Sequence, residues 1–320
     1  MVEPSSNNPL ASFLRKQSYV VLDGGLATAL EACGHDLRDE LWSAKLLLED
    51  PEAIQRVHSS YLEAGADCIT TSTYQATLPG FRKRGLSDGE GVELLQKSVD
   101  LAVEARDAFW SQLENSSGRL RPLVAASIGP YGAFLADGSE YTGDYGIDDD
   151  QLYAFHSQRW QILADSPADL LACETIPSRR EAAVLLRLLR ETPAKWAWLS
   201  FSCRDEAHLC DGSLFADAVR NCGYESQVAA VGINCTSPTF ISPLIVAARK
   251  QTVQPIIVYP NSGESWNSGR KIWMGSPSAI DWSTRCVEWS SLGATGIGGC
   301  CRVGPQEIAL IRQRLVAPKR

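Results

Sequence analysis

The sequence predicts an α/β protein built as a single-domain (β/α)8 barrel, and three observations support this fold class. Eight short β-rich runs alternate with segments of helical apolar spacing along 320 residues. Both the number of units and the chain length match a TIM barrel, which fills this range as one unit. Carboxylate, amide and thiol side chains also gather where these runs end, which is where a barrel of this kind carries its active site. The alternative, a doubly wound open sheet, is disfavoured because the first run leads into Asp23-Gly24-Gly25 and not into a dinucleotide-binding glycine fingerprint.

The predicted elements follow one another without a linker. The strands are 19–22, 68–71, 123–127, 170–174, 196–201, 229–234, 255–259 and 295–298. The clearest helices are Pro51–Ala64, 91–113, Arg179–Arg190, Pro238–Arg249 and Pro305–Leu315. Proline in the first turn favours three of these helix starts. The sequence therefore predicts a flexible N-terminal tail over residues 1–12 and one barrel over 13–320.

Two longer irregular stretches, 129–149 and 260–278, follow the third and seventh predicted strands. Loops after barrel strands lie on the face that carries active sites. We expect these two stretches to form walls of a pocket.

Composition excludes several classes of function. The formal net charge of −8 argues against a nucleic-acid partner, which needs a concentrated basic surface. No apolar stretch approaches the roughly 20 residues of a membrane span, and residues 1–8 lack the charged-then-apolar pattern of a secretion signal. We therefore expect a cytoplasmic protein. Its ten cysteines are then expected to be thiols and metal ligands, not disulfides.

Three cysteines are the strongest indication of chemistry. Cys300 and Cys301 follow two glycines at the end of the eighth strand, and Cys235 ends the sixth. Neighbouring strand residues point to opposite faces, so both members of the pair face one ion only where the strand breaks, and Gly298 and Gly299 permit such a break. Three thiolates suit zinc with one open position, as in catalytic sites. The alternative is that these cysteines are small buried core residues.

Other polar residues end predicted strands. Asp23 ends the first, Glu174 the fourth and Asn234 the sixth. Asp23 also suits a turn before Gly24, and Glu174 also suits the approach to a helix, so each has a structural alternative. The four histidines, His35, His58, His156 and His208, lie away from predicted strand ends. A nucleophile activated by histidine is therefore disfavoured.

The sequence resembles the homocysteine S-methyltransferase family of zinc-dependent barrels. The most specific motifs are Gly232-Ile233-Asn234-Cys235 and Gly298-Gly299-Cys300-Cys301. The likeness extends over essentially the whole chain, through Asp23-Gly24-Gly25, Thr71-Ser72-Thr73-Tyr74, Gly129-Pro130-Tyr131-Gly132 and Cys173-Glu174-Thr175. Residues 132–141 resemble the plant and bacterial members that use S-methylmethionine.

The resemblance implies roles for individual residues. Cys235, Cys300 and Cys301 would hold zinc, and the homocysteine thiol would enter the open position and be activated there. Asp23 and Glu174 would bind the substrate ammonium group. The expected carboxylate ligands are Gly24, Gly25, Thr71 and Thr73. Asn234 would orient the acceptor, and the aromatic residues expected on the methyl-donor side are Tyr74, Tyr131 and Tyr259.

The expected reaction forms methionine, with S-methylmethionine preferred over S-adenosylmethionine as donor and small-molecule partners only. The alternatives are a selenocysteine methyltransferase, a betaine-using enzyme on the same barrel, and a non-catalytic zinc- or redox-sensing protein. The chain ends soon after its eighth helix, without the extension that betaine-using relatives carry for assembly, so we expect a monomer. The barrel also lacks a cobalamin or folate module, and methylfolate is therefore expected to be inactive.

Overall fold

The computed structural model describes residues 5, 7–37, 42–112, 118–267, 272–274 and 280–316. Eight strands form one parallel sheet in the order β1-β10-β7-β6-β5-β4-β3-β2. They are β1 (Val20–Val21), β2 (Cys68–Thr70), β3 (Leu123–Ile128), β4 (Leu170–Ile176), β5 (Ala197–Phe201), β6 (Val228–Asn234), β7 (Ile256–Tyr259) and β10 (Gly296–Ile297). A parallel bridge between Leu22 and Cys68 joins β1 to β2. The predicted single-domain TIM barrel is confirmed.

Helices surround the sheet. They are α1 (Ala11–Gln17), α2 (Leu26–Ala32), α3 (Leu46–Glu49), α4 (Pro51–Ala64), α5 (Leu78–Lys83), α6 (Asp88–Gln112), α7 (Tyr131–Leu135), α8 (Asp149–Ala164), α9 (Arg179–Arg190), α10 (Phe215–Cys222), α11 (Pro238–Arg249), α12 (Trp282–Ser291) and α13 (Pro305–Leu315). Four of the five predicted helices have the predicted bounds, and α6 begins three residues earlier than predicted. Within the described ranges, no helix combines the length and the apolar character that crossing a membrane requires.

Local chemistry explains why a helix such as α4 begins and ends where it does. The Asp50 side chain accepts a hydrogen bond from the Ala53 N–H, and Pro51 occupies the first turn, where its missing N–H has no consequence. Gly65 then adopts φ 113°, a left-handed conformation that suits glycine and stops the helix.

The apolar core has two layers. Alternate strand residues point outward to the helices or inward to the barrel axis; Val21 belongs to the outer layer and Val20 to the inner one. Trp198 is buried in the inner layer, and its indole N–H donates to the Tyr259 hydroxyl at 3.1 Å. Leu10 and Phe13 join the inner layer from the N-terminal segment and are buried.

The N-terminal segment corrects the predicted tail of residues 1–12. Asn8 is buried and donates a hydrogen bond to the Ala229 carbonyl at 2.9 Å, and α1 begins at Ala11. Apolar side chains at positions 10 and 13 have a site inside the barrel, so the chain is packed from Asn8 onward. Residues 1–4 and 6 lie outside the described residues.

The stretch 260–278 also differs from its prediction as irregular chain. It contains an antiparallel pair, β8 (Ser265–Asn267) and β9 (Ile272–Met274). The stretch 129–149 contains α7 and a 3-10 turn, Ser139–Tyr141.

Candidate metal centre and adjoining pocket

The three predicted cysteines come together at the C-terminal mouth of the barrel. Their Sγ atoms all lie within 4.8 Å of one another. The Sγ of Cys301 is 4.0 Å from that of Cys235 and 3.9 Å from that of Cys300. Among the described residues, this is the one group of three or more metal-ligating side chains with such close donor atoms.

The donor set fits a tetrahedral zinc ion. Ligands at about 2.3 Å from zinc lie about 3.8 Å apart on the edges of a tetrahedron, close to the two sulfur–sulfur distances above. Three thiolates occupy three corners, so one coordination position is left for a ligand from outside the protein.

The backbone departs from strand geometry at each ligand. Cys235 follows β6 with φ 48°, and its N–H donates to the Tyr259 carbonyl at 3.3 Å. The Cys300 N–H donates to the Pro260 carbonyl at 2.8 Å, and Arg302 has φ 66°. Both ligand segments are thus tied to the end of β7, and the predicted break after β10 is confirmed.

Gly298 and Gly299 are needed because neighbouring atoms leave no room for a side chain. The prediction gave a different reason, namely that glycine permits the break in the strand. Neither glycine adopts a positive φ. A Cβ on Gly298 would lie 2.6 Å from the Leu22 Cβ, and one on Gly299 would lie 2.1 Å from the Val303 Cγ1. Space, and not backbone freedom, requires glycine at both positions.

The three thiols affect one another's ionisation. The pKa of Cys300 is well below the usual range because the thiols of Cys235 and Cys301 donate to its sulfur, and the pKa values of these two donors rise in turn. The three thiols therefore titrate as one coupled group.

Asn234 connects the metal site to β4. Its Oδ1 accepts from the Thr175 N–H at 2.7 Å, and its Nδ2 donates to the Thr175 Oγ1 at 2.8 Å and to the Cys300 sulfur at 4.0 Å. Thr175 has φ 60°, at an irregularity in the pairing of β4 with β5. Asn234 therefore positions a ligand sulfur and holds the backbone next to Glu174.

Two carboxyl groups lie beside Cys300. Asp23 accepts from the N–H and hydroxyl of Thr70, at 2.7 and 3.0 Å, and burial raises its pKa to about 7. Glu174 accepts from the hydroxyls of Ser127 and Tyr259, and burial, with smaller contributions from the charges of Cys300 and Asp23, raises its pKa to about 8. This side of the pocket therefore strongly favours a bound cation.

Three of the predicted carboxylate ligands already have partners inside the protein. The Thr73 hydroxyl donates to the Ser127 carbonyl at 2.6 Å, and the Thr71 Oγ1 accepts from the Ser127 N–H and bonds the Thr73 Oγ1 at 2.6 Å. The Gly25 N–H donates to the Val303 carbonyl at 2.9 Å. These hydroxyl and N–H donors are already used in hydrogen bonds between neighbouring strand ends. The structure therefore does not support their predicted role as ligands of the substrate carboxylate.

Gly24, the fourth predicted carboxylate ligand, lies beneath Tyr61 and Val303. A Cβ at Gly24 would lie 2.4 Å from the Val303 carbonyl oxygen. Glycine is therefore required for the turn after β1 to fit against the chain that follows Cys301.

The three predicted tyrosines occupy different places. Tyr74 packs on Gly129 and bonds the Thr175 side chain, and Cys235 contributes to its raised pKa, after burial. Tyr259 lies inside the barrel, where its hydroxyl donates to the Glu174 carboxyl group and accepts from the Trp198 indole N–H at 3.1 Å. The Tyr131 ring packs with Phe155 at 4.7 Å in an aromatic cluster that also includes Tyr145 and Phe134.

Sequence reasoning missed Tyr141 and Ser127. The Tyr141 hydroxyl lies 3.9 Å from the Cys235 sulfur, and the Ser127 hydroxyl donates to Glu174. Ser127 ends the third predicted strand, so its position was a usable signal. Tyr141 lies in a loop, where no periodicity indicates which side chain turns inward.

Fold and site together define a (β/α)8-barrel protein with a three-cysteine candidate metal site at the C-terminal mouth. A family model described as homocysteine S-methyltransferase matches residues 20–315. The chain belongs to the homocysteine S-methyltransferase family.

Individual relatives match almost end to end. Homocysteine S-methyltransferase YbgG of Bacillus subtilis is 49% identical over 301 residues, covering 94% of this chain and 96% of the relative. Homocysteine S-methyltransferase 1 of Brassica oleracea is 49% identical over 302 residues, covering 92% and 93%. The metallated form of the homocysteine methyltransferase MmuM from Escherichia coli is 43% identical, with a TM-score of 0.86, over 96% of this chain and 100% of that chain.

Proposed function

We propose that this enzyme transfers a methyl group from S-methylmethionine to the thiol of homocysteine, with zinc held by Cys235, Cys300 and Cys301. The observation that carries the proposal is the cluster of three sulfurs at the barrel mouth beside two buried carboxyl groups. Zinc, when bound, would supply a Lewis acid that favours the anionic form of the acceptor sulfur near neutral pH.

Residues of the chain hold the acceptor. Glu174 and Asp23 bind its ammonium group. Both carboxyl groups lie beside Cys300, and the negative charges of Cys300 and Asp23 make this side of the pocket attractive to a cation. The Gly24 N–H takes its carboxylate. Asn234 orients the Cys300 sulfur, and Ser127 and Tyr259 orient the Glu174 carboxyl group by their hydroxyl donors.

The chemistry then needs little acid–base help from the protein. The acceptor thiol gives its proton to solvent water, which reaches the partly exposed Cys300 at the barrel mouth. Its sulfur then forms a bond to the methyl carbon, and the bond from that carbon to the sulfonium sulfur breaks. The electron pair of the broken bond stays on the leaving thioether, which is neutral, so no general acid is required. With S-methylmethionine as donor, both products are methionine. The work of the site is to align the two sulfurs and the methyl carbon.

The same features support proposals for the partners, the oligomeric state and the cellular compartment of the protein. Homocysteine and the donor are small molecules, and we propose that the protein acts as a monomer. All ten cysteines are free thiols in the structure, which fits a reducing compartment such as the cytoplasm.

Metal analysis and a donor assay test the proposal. We expect one zinc per chain in the wild type and none in a Cys300→Ala, Cys301→Ala double variant, which would also lose activity. Cys286→Ala removes a buried thiol of α12, away from the mouth, and should retain zinc and activity. Full zinc content in the double variant would contradict the metal assignment.

The donor assay compares S-methylmethionine, S-adenosylmethionine, betaine and methylfolate with homocysteine as acceptor. We expect S-methylmethionine to give the largest kcat/KM and the last two to be inactive. A larger kcat/KM with S-adenosylmethionine, or robust turnover with betaine, would contradict the donor assignment. Selenocysteine in place of homocysteine tests the acceptor in the same assay.

A further inference from the structure

Glu140 lies on the loop that covers the Cys235 side of the metal site. It is in the 3-10 turn Ser139–Tyr141, next to Tyr141, whose hydroxyl is 3.9 Å from the Cys235 sulfur. A Cβ on Gly132 would lie 2.3 Å from the Glu140 nitrogen, so this turn packs directly on α7. The turn is therefore a fixed part of the pocket wall.

The Glu140 carboxyl group accepts backbone hydrogen bonds from the N–H groups of Gly138 and Glu140, and one of its oxygens is left without a partner in the described part of the chain. Its Oε2 is shielded from solvent and has no hydrogen-bond partner among the described residues. Burial, with a smaller contribution from the charge of Asp137, raises its pKa to about 7. Buried carboxylates in proteins are normally paired, so an unpartnered oxygen at a binding site indicates a ligand that supplies the partner.

Two tyrosines connect Glu140 with the metal site. Both Cys235 and Glu140 contribute to the raised pKa values of Tyr74 and Tyr141. The two phenol rings therefore lie near the carboxylate and near the ligand sulfur alike. Aromatic rings attract cations such as sulfonium through their negative faces.

The two substrates differ in the number of positive charges that the protein must bind. Homocysteine carries one ammonium group, and Asp23 and Glu174 face it beside Cys300. A sulfonium amino acid carries two cationic centres, the sulfonium and an α-ammonium. The Cys235 side offers two aromatic rings and one carboxylate, which match these two centres.

We propose that Glu140 binds the α-ammonium group of the methyl donor while Tyr74 and Tyr141 face its sulfonium centre. Glu140 thereby makes the enzyme specific for sulfonium donors that carry an amino-acid head group. This inference rests on the proposed methyl transfer and adds a specificity-determining residue to it.

The experiment compares S-methylmethionine with 4-(dimethylsulfonio)butanoate, which has the same sulfonium chain without the ammonium group. For Glu140→Gln we expect kcat/KM for S-methylmethionine to fall about ten- to a hundred-fold, as for the loss of a charge-assisted hydrogen bond. The value for the butanoate, measured as a substrate or as a competitive inhibitor, should not change. The KM of homocysteine and the zinc content should also stay at wild-type values.

Asp144→Asn is the matched control, because it removes an exposed carboxylate from the same loop. The ratio of the two donors does not depend on the fraction of active enzyme, so partial misfolding of a variant does not affect it. An equal fall for both donors, or an unchanged donor ratio, would overturn the proposal.

The outcome is separable from the proposed function. If the wild type transferred no methyl group from either donor, methyl transfer itself would be wrong. Calorimetric binding of S-methylmethionine to the wild type and to Glu140→Gln would still test the ammonium site. Equal dissociation constants would overturn the role of Glu140.

Discussion

Replacing Glu174 by Gln separates substrate binding from folding, because the two effects have opposite signs. Gln keeps the size of the side chain and removes its negative charge. The carboxyl group accepts from the hydroxyls of Ser127 and Tyr259, and burial raises its pKa from 4.5 to about 8. The change therefore removes a group that the folded protein ionises reluctantly.

The stability effect follows from this raised pKa. A carboxyl group with a raised folded-state pKa contributes full stability below its unfolded pKa and loses that contribution as the pH rises through the folded pKa. Over the roughly 2.5 units between pH 4.5 and pH 7, at 1.36 kcal/mol per unit, the free energy of unfolding would fall by about 3–4 kcal/mol. Water at the pocket mouth reduces this loss of stability to about 2–3 kcal/mol. In the ligand-free protein we expect Glu174→Gln to be more stable than the wild type by this amount at pH 7. The difference should vanish near pH 4.5.

The binding effect runs the other way. The variant loses a charge-assisted contact with the acceptor ammonium, about 1.5–3 kcal/mol, so the homocysteine KM should rise about ten- to a hundred-fold. Denaturant unfolding at several pH values and acceptor titrations measure the two effects. An unchanged homocysteine KM would refute the role in binding, and a less stable variant at pH 7 would refute the raised pKa assigned to the buried carboxyl group.

Three further changes test separate parts of the structure. Gly299→Ala places a Cβ against Val303, and we expect about 1–3 kcal/mol lower stability with reduced zinc content, measured by unfolding and metal analysis. His58 is buried and has no hydrogen-bond partner in the described part of the chain, and burial lowers its pKa to about 4. The wild type should therefore lose about 3 kcal/mol of stability between pH 6.5 and pH 4, and a His58→Leu variant with the same pH slope would contradict this. Glu181 accepts from the Tyr131 N–H at 2.6 Å and the Tyr145 hydroxyl at 2.8 Å, both in the loop that carries Tyr141. Glu181→Gln should therefore raise the donor KM and speed proteolysis of that loop, and unchanged values of both would show that the loop holds without Glu181.

The fold could be predicted from the sequence because each unit repeats the same local pattern. A buried parallel strand reads as a short apolar run, and a proline or capping residue marks the start of a helix such as α4 or α13. In a barrel, strands that follow one another in the sequence are also neighbours in space, so the order of the strands predicts their positions. Two strand ends as distant in sequence as Cys235 and Cys300 could therefore be placed at one mouth.

The N-terminal segment was the part of the fold that such patterns could not predict. Asn8, Leu10 and Phe13 lie in a short stretch without clear periodicity, and its polar start is typical of a loose tail. Their burial depends on a space at the bottom of the barrel that only the assembled strands create. Tertiary packing, and not local propensity, decides the structure there.

The direction of individual side chains limited the prediction of the site. Thr71 and Thr73 were placed correctly at a strand end, but their hydroxyls bond to Ser127 on the next strand. A hydroxyl at a strand end serves equally well as a ligand or as a tie between neighbouring strands, and the sequence pattern is the same for both. Only the position of the neighbouring carbonyl distinguishes them.

The contrast between Tyr131 and Tyr141 shows why the donor side was harder to predict than the metal site. Both tyrosines lie in one loop, yet Tyr131 packs on Phe155 while the Tyr141 hydroxyl reaches the Cys235 sulfur. The direction of each ring depends on contacts made by the loop as a whole, including the Glu181 bonds to its two ends. A metal ligand set is constrained by strand geometry and by the ion, whereas a loop that selects a donor is constrained by its own packing. Differences in donor preference among barrels that keep the same three cysteines are therefore expected to arise in this loop, at positions such as Glu140, and not at the strand ends.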